Sequence, residues 1–198
     1  VGGVSAPATA TITVQSVDDS PNFAKGDGLV LQSIGPHDDV SQSVVVQSDG
    51  KVVVAGYAGN GVDDDFAVVR FNADGTPDAG FGSGGKVTVP FAGTDQAYRV
   101  AVQPDGKLLV AGYSANGGAG DFAVTRLNAN GSVDTGFGTA GKLLLDFAGG
   151  GDGADAIVVQ ADGKVVIAGT INVAGRSEFG LVRLNADGSL DTTFAGTG

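Results

Sequence analysis

The chain contains no cysteine, no methionine and no tryptophan, and it has a single histidine and a single glutamate. Without cysteine there is no disulfide framework, no thiol nucleophile and no Cys-ligated zinc, although compartment stays open because many exported bacterial proteins also lack the residue. His37 is the only imidazole, so a histidine metal cluster is excluded, and a triad would rest on one side chain beside Pro36; His37 is read as a loop residue. No G-x-S-x-G elbow occurs. No apolar run reaches 18 residues, so no membrane-spanning helix and no membrane insertion are expected. Basic residues are few: 11 Lys and Arg against 22 acids leave a net charge of −11, which repels nucleic acid and anionic lipid, so nucleic acid is set aside as a partner. All the acids but Glu178 are Asp, a turn residue rather than a helix former, which argues against an α-rich fold. No Met stands at position 1, and the segment is read as part of a longer or processed chain.

What is present is glycine and a repeat. Val, Ile, Leu and Phe make up 54 of the 198 residues, enough for a packed core, and the length suits one or two domains. Gln47-Ser-Asp-Gly-Lys51 returns as Gln103-Pro-Asp-Gly-Lys107 and as Gln160-Ala-Asp-Gly-Lys164, at spacings of 56 and 57. Each copy continues in step: Ala55-Gly56-Tyr57 matches Ala111-Gly112-Tyr113 and Ala168-Gly169-Thr170, and Asp65 to Arg70 matches Asp121 to Arg126 and Glu178 to Arg183. Asn72 to Gly75 and Phe81 to Lys86 recur in the same way, the last only in part as Phe194 to Gly198.

Within a period, four short β-branched runs are separated by turn residues. In the middle copy they fall at about 98–103, 107–113, 121–128 and 142–147, with Pro104-Asp105-Gly106 as a tight hairpin. Runs such as Val44 to Val46, Val52 to Val54 and Leu143 to Leu145 do not alternate with polar residues, which predicts strands buried on both faces. Sheets stacked against copies of themselves meet that requirement, as in a β-propeller, so one period is read as one blade. The fold class expected is all-β: three four-stranded antiparallel blades of a β-propeller, in a partial or shared ring.

The pattern Q-x-D-G-K-x-x-V-A-G followed by D-F-A-V-x-R-x-N-A-D-G-x-x-D-x-x-F-G-x-x-G-K resembles the bacterial delta-60 repeat, a propeller-type repeat of large exported or surface proteins, over residues 23–198. Residues 1–22, with the alternating stretch Ala8 to Gln15 before Val17-Asp-Asp-Ser-Pro21, resemble the last strand and exit linker of a cadherin-like β-sandwich domain of bacterial adhesins. The resemblance implies a secreted or cell-surface bacterial setting. It brings no catalytic residues.

Leu29 to Ile34 matches the fourth strand of a period and the third copy stops before its own, so the blades are permuted. Three blades are too few for a ring, since propellers close with about 4 to 8. Two chains sharing a six-bladed ring, further repeats beyond residue 198, and a three-fold β-trefoil-like barrel are the open alternatives. A further expectation is that the strand Thr9 to Gln15 pairs with a neighbouring molecule by strand addition.

Recurring acids are read as scaffold: Asp49, Asp74 and their copies as turn residues, and Arg70, Arg126 and Arg183 as partners of a recurring acid or carbonyl. A meander places the Asp-Gly turns on one edge and the variable loops on the other. On that second edge Asn60, Asp63, Asp64, Asn116, Asn172 and Arg176 are candidate interaction residues. Asp39, Asp65, Asp95, Asp121, Asp152, Asp155 and Glu178 gather there too, offering the hard oxygens that Ca²⁺ takes. Gly150 to Ile157 fits the Ca²⁺-binding nonapeptide of RTX proteins, but once only, and solvated turn acids are the simpler account. No cofactor is required by any motif.

The function expected is a noncatalytic structural or adhesive interaction module with protein partners, itself included. A Ca²⁺-dependent or glycan-binding lectin-like module is the alternative. Behind it stands a carboxylate glycosidase built on a pair such as Asp38 and Asp64. With no Trp and three Tyr, sugar-stacking platforms are scarce.

Overall fold

Each copy begins with an Asp-Gly turn that closes a hairpin. Gln47 N donates to Lys51 O at 2.8 Å, Gly50 N to Gln47 O at 2.9 Å and Lys51 N to Asp49 Oδ1 at 3.1 Å. Gly50, Gly106 and Gly163 sit at φ of +83°, +83° and +82°, the left-handed region that explains why each turn ends in glycine. The computed structural model describes residues 28–115, 118–147 and 149–196. The upstream segment 1–22, with its strand at Thr9 to Gln15, and Asn116 lie outside the described residues.

Eleven strands follow in order: β1 (Asp39–Val46), β2 (Val52–Gly59), β3 (Asp64–Phe71), β4 (Lys86–Val89), β5 (Thr94–Val102), β6 (Leu108–Ala115), β7 (Asp121–Leu127), β8 (Lys142–Leu145), β9 (Gly153–Val159), β10 (Val165–Val173) and β11 (Arg176–Leu184). They form three antiparallel meanders, β1-β2-β3-β4, β5-β6-β7-β8 and β9-β10-β11, with no helix among the described residues. The sheets are separate and stacked, so the trefoil-like barrel is not what forms. The third sheet has three strands among the described residues. Residues 30–34 of the strand expected at Leu29 to Ile34 belong to no ladder among the described residues.

Glycine in the Ala-Gly-Tyr triplet has a packing reason. The first strand of each blade is bulged, between Ser41 and Ser43 and between Ala97 and Arg99, with the matching register shift at Ala168 and Gly169. The bulge presses carbonyl oxygens of Val40, Gln96 and Gly153 onto Gly56, Gly112 and Gly169, where a Cβ would overlap them. The same irregularity carries the first strand of the middle blade back to Thr94, four residues before its expected start.

Two cores result, one in each gap between sheets. Val53, Ala55, Phe66 and Val68 of the first blade meet Val100, Leu108, Val110 and Leu127 of the second. Leu109, Ala111, Phe122 and Val124 on the other side of the second blade meet Ala154, Val165, Ile167 and Val182 of the third. Each fully buried Phe or Leu contributes roughly 1.5–3 kcal/mol. Burial on both faces, expected for all the unbroken apolar runs, holds along β3, β6 and β7. Val44 and Val46 of the first blade and Leu144 of β8 are exposed, because a sheet face is covered only where a neighbour lies on it.

Candidate functional site

The two edges of the stack differ in chemistry. On the edge of the Asp-Gly turns an identical charged cluster repeats in every blade. Asp78 accepts from Arg70 Nε at 2.8 Å and pairs with Lys51 at 3.0 Å; Asp134 does the same with Arg126 at 2.7 Å and Lys107 at 2.9 Å, and Asp191 with Arg183 and Lys164, both at 2.7 Å. The guanidinium of each Arg lies over a ring, 4.5 Å from Phe81, 4.8 Å from Phe137 and 4.6 Å from Phe194. Arg70 Nη1 also donates to Ala129 O of the next blade at 2.6 Å, and Arg126 Nη1 to Ala186 O. The cluster therefore folds its own blade and latches it to the following one.

The latch acids are correspondingly acidic. Against the opposing effect of burial, hydrogen bonds from Lys51, the Gly80 amide and Arg70 hold the Asp78 carboxyl below its ordinary value. The Lys107 hydrogen bond, with Gly136 and Arg126, brings Asp134 to about 2 against the pull of burial. Hydrogen bonds from Lys164 and Thr193 lower Asp191 furthest. The pairing of each Arg with an acid and a carbonyl is in the sequence; that the acid is the one eight residues later is not obvious until the three copies are aligned.

On the opposite edge lie the variable loops and the connections between blades. Asn60 organises the β2–β3 loop, its Oδ1 accepting from Val62 N and Asp63 N and its Nδ2 reaching Asp63 and Asp65 at 2.5 and 3.0 Å. Asp64 accepts from Gln96 Nε2 of the next blade at 2.9 Å, so it is engaged between blades. Asp38 and His37 are exposed in the connection before β1. Asn172 turns the β10–β11 loop through a bond to Gly175 N at 3.0 Å, and Arg176, Glu178 and Asp155 are exposed. Asp155 lies within β9 and accepts from Thr170 Oγ1 at 3.2 Å, an arrangement unlike a stacked nonapeptide loop.

Asp39, Asp95 and Asp152 share one structural job. Their Oδ2 atoms accept the amides of Ile34, Phe91 and Phe147 at 2.8, 2.6 and 2.8 Å, stapling the connection that enters each blade. The expectation of solvated turn acids fails for two of them: Asp95 and Asp152 are buried, since the connection folds over them. Burial pushes the Asp95 carboxyl up, helped by the nearby charge of Asp65. Asp95 Oδ1 and, across the strand pair, Ser114 Oγ are buried without a partner of normal geometry.

Asp121, Asp146 and Asp152 come together, with carboxylate oxygens all within 4.8 Å of one another. Burial, then the charges of Asp146 and Asp152, raise the Asp121 pKa. Two members were in the expected Ca²⁺ set; Asp146 was missed, though it stands where the previous blade has Pro90, and a comparison of copies exposes it. Both oxygens of Asp152 already accept amides, from Phe147 and Asn172, and Asp146 caps Gly149 N. That leaves few free oxygens against the 6 to 8 that Ca²⁺ takes.

Comparison with curated proteins finds no match. The chain belongs to the family described as a domain of unknown function (DUF5122) β-propeller, matched at residues 47–81, 103–137 and 160–194. Each matched stretch runs from the Gln of the first turn to the Phe beneath the Arg, so it contains one complete latch.

Proposed function

Starting from membership in that β-propeller family, we propose that the chain is a noncatalytic structural and adhesive interaction module of a large secreted or cell-surface bacterial protein, with repeats of the delta-60 kind. One observation carries the reading. The Lys–Asp–Arg clusters repeat unchanged and hold the blades, whereas the loops at 58–64 and 171–177 on the other edge differ in sequence and charge, the first carrying Asp63 and Asp64 and the second the exposed Arg176. A rigid frame with one invariant edge and one variable edge is the arrangement in which binding loops are built. Protein or glycan surfaces are the partners that this acidic edge meets.

The test is adhesion. Beads coated with the chain should bind bacterial cells or a glycan array above an albumin control, and Arg176→Asp, at an exposed position of the β10–β11 loop, should weaken binding without changing the melting temperature. No binding above the control defeats the reading. So does turnover of a glycoside panel that Asp64→Asn abolishes, which would install the glycosidase instead. The closeness of Asp121, Asp146 and Asp152 favours a Ca²⁺-dependent version as the alternative. Binding lost in chelator and restored by Ca²⁺ distinguishes it.

A further inference from the structure

The stack ends in two faces that are unlike each other and alike to its own interior. In both internal gaps, the face carrying Phe66 and Val68, or Phe122 and Val124, covers the first strand of the next blade at Val100 or at Ile157 and Val159. The third blade carries the same face, but Phe179 is 107% exposed where Phe66 and Phe122 are 0%, and Leu181 is exposed with it. The first blade carries the opposite face, with Val44 65% exposed where its counterpart Val100 is 9%.

The hydrogen-bonding groups at the two ends are complementary as well. Gly82 N and Gly138 N donate to Asn130 O and Asp187 O of the following blade at 2.8 Å, beside the two Arg latches. At the far end Arg183 Nη1 and Ala195 N are the matching donors, and Ala195 holds φ +49°, close to the +53° and +54° of Gly82 and Gly138. At the near end Ala73 O and Asp74 O are the matching acceptors. Among the described residues these four groups have no such bond.

Strand pairing gives the third observation. β11 is the edge of its sheet, although its counterparts β3 and β7 are each flanked by a fourth strand. Residues 30–34 stand at the first blade as a fourth strand stands at the next: Ile34 N bonds Asp39 as Phe91 N bonds Asp95, and Ser33 O accepts Lys86 Nζ as Pro90 O accepts Lys142 Nζ. The segment belongs in position to a preceding blade that is not among the described residues. A third strand lacks its fourth, and a fourth lacks its third.

We infer that a second copy of this chain supplies residues 30–32 as the fourth strand of the third blade, and that two copies, each doing this for the other, close a six-bladed ring. The contact joins different surfaces head to tail, and two such contacts related by a two-fold axis close it. Six blades fall within the range of propellers. The register follows from Phe66↔Val89, Ala67↔Thr88 and Val68↔Val87: Phe179 faces Gln32, Gly180 faces Leu31 and Leu181 faces Val30 of the other copy. Main-chain bonds of strand addition supply the pairing, and the apolar faces and Arg183 supply the rest. The inference is independent of what the loops bind.

Light scattering on the purified chain should give twice the 19.4 kDa mass. Because the chain has no cysteine, the register can be read directly. V30C and L181C variants, mixed and oxidised, should form the mixed disulfide, and V62C mixed with L181C should not. The double variant Phe179→Asp, Leu181→Asp alters exposed positions only, and should weaken dimerisation by on the order of 100-fold while leaving the unfolding of the dilute monomer unchanged. A monomer at about 100 μM, far above the dissociation constant of a specific interface, overturns the inference. Open-ended polymers, a dimer indifferent to the double variant, or an equal yield from V62C overturn it too.

Discussion

The second and third blades carry the same repeat motif and occupy different environments. The middle sheet has a neighbour against each face, and β6 and β7 are buried along almost their whole length. The third has one neighbour, and β11 buries only the residues on that side. Hydrophobicity thus marks a surface meant to be covered, and position in the stack decides whether this chain covers it. The most direct way to break the comparison is to truncate equivalent aromatics. Phe122→Ala should cost about 3–5 kcal/mol, the range for removing a fully buried ring. Phe179→Ala should stay within about 0.5 kcal/mol, as for other exposed sites. Urea unfolding at low protein concentration measures both, and equal losses would mean that the third blade is covered on both faces even in the monomer.

The latches sharpen the contrast at the next level of effect. Arg126 is buried, joins Asp134 to Ala186 O across a blade gap and stacks on Phe137. Arg126→Ala should cost about 3 kcal/mol, because removing one member of a buried pair leaves polar partners uncompensated. Arg183 makes the same ion pair within its blade and, among the described residues, no bond across a gap, so Arg183→Ala should cost distinctly less in the same assay. If the two variants melt together, the inter-blade bond contributes nothing and the latch acts only within each blade.

Much of this architecture is legible in the repeat. A period containing four β-branched runs, with Asp-Gly at fixed offsets, dictates separate meanders, and recurrence of an Arg and an Asp in every copy marks them as scaffold. What the repeat conceals is whatever differs between copies by context alone. Val44 and Val100 are the same residue at the same place in the motif, and only the neighbour separates an exposed side chain from a buried one. Asp95 and Asp152 read as loop acids because sequence shows polarity but not the connection folded over them. In the trio, Asp121 and Asp146 lie opposite each other at the end of the β7–β8 pairing, and Asp152 is brought to them by the connection into the third blade, whose Asp152 N bonds Gly120 O.

Titration separates the latch acids from the acids on the opposite edge. Asp78, Asp134 and Asp191 have lowered pKa values, so the stability they contribute is complete above the unfolded value near 3.8 and is lost as pH falls, for Asp134 toward about 2. Asp95 and Asp121 act with the opposite sign. Their raised values make the native state bind protons more tightly than the unfolded chain, so stability rises as pH falls from neutrality toward those values. The melting temperature should therefore peak on the acid side of pH 7 and then drop steeply below about pH 4, where the latch acids protonate. Asp121→Asn should raise the melting temperature at pH 7 and flatten the rise toward acid.

The smallest effect expected concerns Asp146, which distinguishes the connection into the third blade from the one into the second, where Pro90 stands. Its carboxylate adds a like charge beside Asp121 and Asp152 and gives back one hydrogen bond, to Gly149 N at 2.8 Å. Asp146→Asn keeps an acceptor for that amide and removes the repulsion. Since Asp146 is exposed and the interaction is screened, the gain in chelator should be a few tenths of a kcal/mol, and it should shrink as salt is added. Ca²⁺ turns this into a decisive comparison. An ion held by the three acids would stabilise the wild type and not the variant, so the sign of the difference between them would reverse on adding Ca²⁺. A difference that keeps its sign in both conditions means that the acids meet as a consequence of the β7–β8 pairing and the connection that follows it, and that the middle and third blades are joined by the same latch and staple as the first two.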